Sequence, residues 1–124
     1  MNTPLHMAAH VLNPKWYAPK IGKMAPNDDI ELKDGFMNFL AKMFSREDGR
    51  IVREEFVKFV RLKGPRFSRP ECKEDRATIA QTDPIGWWEL YGDDTPHLKH
   101  LAIRLLSQVS RCHWHAIKYC TIVY

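Results

Sequence analysis

Apolar residues recur along this chain at three- and four-residue steps, and prolines, glycines and short polar runs divide them into helical segments. Thr3-Pro4 opens a first helix that runs to about Leu12, where Asn13-Pro14 stops it, because the residue before a proline is pushed out of the helical region. Lys15 to Pro26 holds Pro19, Gly22 and Pro26 and reads as a connector. Asn27-Asp28-Asp29 supplies a cap and an acidic first turn for a second helix. Its Ile30, Phe36, Met37, Leu40, Met43 and Phe44 mark one buried face. Asp48-Gly49 is expected to break that pattern. Ile51, Val52, Phe56, Phe59 and Val60 then build a third, ended by Gly64-Pro65, so that the two helices form a central helical hairpin with a glycine turn.

Arg66 to Thr82 is polar, with charge of both signs and Pro70, and is expected to be irregular. Two short helices follow, each with a start signal: Asp83 caps one with Pro84 at its opening position, and Thr95 caps the next with Pro96 in the same role. The first carries Trp87, Trp88 and Tyr91. Adjacent helical residues point about 100° apart, so one of the two tryptophans is expected to pack against another element or another chain. The second carries a stripe of Leu98, Leu101, Ala102 and Leu105 suited to helix packing within or between chains. The ending Tyr119-Cys120-Thr121-Ile122-Val123-Tyr124 favours a strand but has no second strand to pair with. Arg111 to Tyr124 is therefore expected either to extend the final helix or to be the least ordered end of the chain, fraying as unanchored termini do. The expected fold class is mainly α.

At 124 residues the chain can build one domain with a modest core, and 44% hydrophobic with 27% charged residues is an ordinary globular balance. No apolar run approaches the ~20 residues that span a bilayer, and the start lacks the basic and apolar regions of a secretory signal, so an intracellular protein without membrane partners is expected. The net charge of +4 is dispersed; its densest cluster is Lys58, Arg61, Lys63, Arg66 and Arg69. That set is either a solvated helix face or a phosphate-contacting patch. Three cysteines make no disulfide framework, which suits a reducing compartment.

Three constellations invite metal readings, and none holds. Phe44 to Phe56 imitates a calcium loop with Gly49, Ile51 and Glu55 in register, but Phe44 and Arg46 occupy positions that need oxygen ligands. His6 and His10 lie four apart, yet lack an intervening Glu and a nearby third ligand. Cys112, His113, His115 and Cys120 fit no zinc spacing, since adjacent ligands leave no turn between them. No metal or cofactor is expected. No glycine-rich phosphate loop or nucleophile elbow occurs among the six glycines, so catalysis is not expected either.

Two segments carry a family resemblance. Pro4-Leu5-His6-Met7-Ala8-Ala9-His10-Val11-Leu12-Asn13-Pro14-Lys15-Trp16 and the block from Trp87-Trp88 through Gly92 and Pro96 to Ser107 together resemble the carboxy-terminal dimerisation region of hAT-family transposases and of the plant proteins derived from them. The resemblance covers the chain to about residue 108; residues 109–124 diverge. It implies a fragment of a ribonuclease H-like fold and a protein-dimerisation role in the nucleus, with the chain itself or a related transposase-derived protein as partner. The implied interface is Trp87, Trp88, Tyr91, Leu98, Leu101, Ala102 and Leu105. The family's catalytic Glu has no counterpart, because no Asp or Glu follows Asp94, so the resemblance implies a non-catalytic module. The alternative is a nucleic-acid-binding accessory domain that uses Lys58, Arg61, Lys63, Arg66 and Arg69.

Overall fold

The computed structural model describes residues 4–18 and 25–114, with side chains up to Val109. Among the described residues there are seven α-helical segments and no strand. They are α1 (Pro4–Leu12), α2 (Ile30–Met43), α3 (Arg46–Arg61), α4 (Pro70–Arg76), α5 (Ile79–Thr82), α6 (Pro84–Tyr91) and α7 (Pro96–Trp114). Tight 3-10 turns at Pro14–Tyr17, Pro26–Asp28 and Gly92–Asp94 join them. The mainly α expectation holds. No helix of the described residues is long and apolar enough to cross a membrane.

Most of the helix starts follow their caps. Asp29 accepts from the Leu32 amide at 3.2 Å and Asp83 from the Gly86 amide at 2.9 Å, each filling one of the orphan donors of a first turn. The break expected at Asp48-Gly49 is corrected. Ser45 caps α3 by accepting from the Asp48 amide at 3.1 Å, so the turn falls at Phe44-Ser45 and Gly49 is buried inside the helix. The end of α3 comes earlier than Gly64. Leu62 adopts the left-handed conformation (φ 54°), and the amides of Leu62 and Lys63 donate back to Phe59 and Lys58. The central hairpin is corrected as well. Although Phe36 and Phe56 meet at 4.9 Å, α2 lies chiefly along α1 while α3 lies against α7.

The polar stretch expected to be irregular instead folds into α4 and α5. Pro70 opens α4, and Cys72, Arg76 and Ala80 turn inward, so three positions in a polar stretch suffice to anchor it. Its loop is tied from afar. The Asp94 carboxylate accepts from the amides of Arg66 and Phe67, both at 2.8 Å. Gly64 stands just before it at φ 132°, where a side chain would be strained and a Cβ would collide with Asp94. The last helix runs unbroken past residues 108 and 109 to Trp114. The expectations placed on residues 115–124 lie outside the described residues.

Candidate association surface

The tryptophan pair forms the centre of the core. Trp87 and Trp88 are both 0% exposed, and their rings meet edge to face at 5.4 Å. Phe59 joins them, stacked on Trp88 at 4.8 Å and edge-on to Trp87 at 5.9 Å. Phe67 stacks on Trp87 at 6.0 Å. Of the two outcomes expected for the pair, another element or another chain, it is other elements of the same chain that take both rings. The 100° between them is real, but α6 is walled on both sides: Trp88 donates to the Leu12 carbonyl of α1 at 2.8 Å and Trp87 to the Cys72 carbonyl of α4 at 3.2 Å. Folding of the 66–82 stretch supplies that second wall. Tyr91 is also buried and donates its hydroxyl to Asp75; burial first, then the Asp75 carboxylate, pushes its pKa up.

Arg76 lies beneath this cluster, 4% exposed, with its guanidinium 4.9 Å from the Phe59 ring, 5.2 Å from Tyr17 and 5.5 Å from Trp87. One terminal nitrogen donates to the Phe59 carbonyl at 2.8 Å, while Nε has no partner among the described residues. Burial pulls its pKa down to about 10, which still leaves it charged at neutral pH. Burial also raises the Cys72 thiol to about 12, so this cysteine is inert at neutral pH.

The leucine stripe divides between inside and outside. Leu98 and Ala102 face the core completely, whereas Leu101, 8% exposed, and Leu105 form part of the floor of an open channel. Its wider chamber, about 660 Å³, lies between the start of α1, the end of α2 and α7; Phe39, Met43 and Phe44 line it beside those leucines. Met43 is 58% exposed there. A second chamber of about 360 Å³ continues past Val52 to Pro96 and shares Phe44, Leu101 and Arg104 with the first. The two together follow α7 from Pro96 to Gln108, which is ~18 Å at helical rise.

Sequence reasoning missed Phe39, Lys42, Met43, Phe44 and Arg104 as surface residues of one site. A signal existed: α7 has apolar positions on two flanks, Leu101 and Leu105 beside Leu98, Ala102 and Leu106, more than one neighbouring helix can cover. The apparent calcium ligand Glu55 also has another task. It is buried, accepts from the Leu98 amide at 2.7 Å and meets His97 Nδ1 at 2.8 Å, and so caps α7 from α3. Thr95, expected to be that cap, instead turns its hydroxyl to the Gly92 carbonyl at 3.4 Å.

The basic set is exposed throughout. Arg66 pairs with Asp93 at 3.4 Å and Arg69 with Glu71 at 2.9 Å; Lys58, Arg61 and Lys63 form no ion pair among the described residues. No group of three potential metal ligands occurs among the described residues. His10 stacks on Trp16 at 5.0 Å, and burial lowers its pKa against the opposing pull of Asp29. The Cys112, His113, His115 and Cys120 set lies outside the described side chains. In comparison with known proteins, no family model, no curated protein and no solved structure matches this chain.

Proposed function

We propose that this chain is a non-catalytic association module of the hAT-transposase-derived kind, joining a second copy or a related chain in the nucleus. The resemblance rests on the Pro4–Trp16 and Trp87–Ser107 segments. The observation that carries the reading is the open channel along α7, apolar on its floor and bordered by the exposed Met43. A contiguous apolar depression of this kind on a small protein is costly to leave wet and suits a partner's side chains. Trp87, Trp88 and Tyr91 serve the surface indirectly, by fixing α6 and α7, and Leu101 and Leu105 meet the partner. The ribonuclease H-like fragment remains part of this proposal.

Light scattering on size-exclusion fractions tests it. The chain is expected to self-associate at micromolar concentration, or to form a complex with a co-expressed hAT-derived chain. Met43→Asp should weaken either assembly while leaving the helical circular dichroism unchanged, because the side chain is already mostly in water. A strict monomer at high micromolar concentration that also ignores related chains refutes the reading. A second reading, nucleic-acid binding, is supported by the exposed cations Lys58, Arg61 and Lys63, which form no ion pair among the described residues. It predicts a steep loss of DNA affinity with salt, the mark of released counterions.

A further inference from the structure

We propose that the channel along α7 receives an amphipathic helix with acidic flanks, supplied by a different chain; this rests on the association reading above and names its partner. The channel's length matches about three turns of helix. Its floor of Phe39, Phe44, Val52, Leu101 and Leu105 accepts apolar side chains at i, i+3, i+4 and i+7, the pattern of a helix laid into a groove. Charge then selects among helices. Among the described residues, the only charged ones lining the wide chamber are Lys42 and Arg104, both exposed and in no ion pair there. The narrow chamber adds one acid, Asp48, together with His97 and His100 and the shared Arg104.

Other occupants fit less well. A twofold pairing of this patch with itself would bring together two rims that each carry Lys42 and Arg104, and like charges facing across an interface weaken it. A different ridge of a second copy entering the channel would be a head-to-tail contact, which grows into open assemblies unless its rotation closes a ring. Residues 115–124 of the chain itself carry Lys118 and no Asp or Glu, so their side chains bring no counter-charge. A phosphate backbone would answer the cations but leave the apolar floor uncovered.

The test uses the full chain and two fluorescent peptides of about 15 residues, long enough for the three turns plus their ends. Both carry the same leucines at i, i+3, i+4 and i+7; one is flanked by Glu and the other by Lys. Fluorescence anisotropy should show the Glu peptide binding at least about ten-fold more tightly, the effect of roughly 1.4 kcal/mol of rim charge. The Lys42→Glu/Arg104→Glu double variant should reverse that preference, and Met43→Asp should weaken both peptides. Circular dichroism checks that each variant keeps its fold. Equal binding of the two peptides, binding of neither, or a preference unchanged in the double variant overturns the proposal. If neither peptide binds but light scattering still shows assembly that Met43→Asp abolishes, the association reading stands and the acidic-helix partner falls.

Discussion

At Arg76, aromatic faces and a single backbone carbonyl stand in for the anion that a buried cation ordinarily needs. The side chain does two things at once: its stem and planar head fill space under Phe59 and Trp87, and its terminal nitrogen satisfies the Phe59 carbonyl. The two contributions separate by substitution. Arg76→Ala removes both and should destabilise the fold by about 2–4 kcal/mol, from a cavity plus the loss of a hydrogen bond to the Phe59 carbonyl, which then keeps only the Leu62 amide. Arg76→Met keeps most of the volume and sheds the desolvated charge, so its loss should be under about 1.5 kcal/mol. Urea unfolding of the two variants decides the matter, and an equal loss in both would show that charge, not packing, is what Arg76 contributes. Nothing in the sequence around Arg76 announces this role, since Glu74, Asp75 and Lys73 surround it and suggest a solvated helix. Its burial follows from rings 17, 59 and 87, all distant along the chain.

Among the elements, the starts of α2 and α6 were legible because their caps are local: Asp29 and Asp83 reach amides three residues on. The start of α7 was legible in position but not in chemistry. Its orphan amide at Leu98 is satisfied by Glu55, forty-three residues earlier in the chain, while Thr95 turns elsewhere. Glu55→Ala should therefore act as the loss of a cap and of a tie between α3 and α7 together. The expected cost is about 1–3 kcal/mol, the penalty of a buried donor left unpaired. Glu55→Gln, which keeps an acceptor oxygen, should lose less. Thermal unfolding with hydrogen exchange at the Leu98 amide is the check; unchanged protection in Glu55→Ala would mean that water or another group fills the role. The helices α4 and α5 escaped sequence reasoning because, Pro70 aside, their apolar content is only Cys72, Ile79 and Ala80. What orders them is contact with α6 and the 14–17 turn, including Gln81 bonding to the carbonyls of Lys15 at 3.3 Å and Arg76 at 2.8 Å.

For the whole molecule, the tryptophan pair decides whether stability and association can be separated. Both rings lie wholly inside, so Trp88→Ala should act first on folding, by about 3–5 kcal/mol, and lower the melting temperature steeply. Met43→Asp should do the reverse, leaving the melting temperature nearly unchanged while changing assembly. If Trp88→Ala instead keeps full stability and abolishes association, the ring belongs to an interface after all and the core described here is wrong.

The sequence alone determined what depends on local physics: a mainly helical chain, the caps at Asp29 and Asp83, and the paired tryptophans and leucine stripe as the densest apolar positions. Periodicity and capping operate within one or two turns, so they can be read without a fold. Which of those apolar residues meet their own chain and which remain for a partner was decided only by the tertiary arrangement. The inward turn of α4 closed over Trp87, and α1 closed over Trp88, while α1, α2 and α7 met without filling the space above Leu101 and Leu105. A helix pattern says that a stripe must be covered, but only the positions of the neighbouring helices say by what.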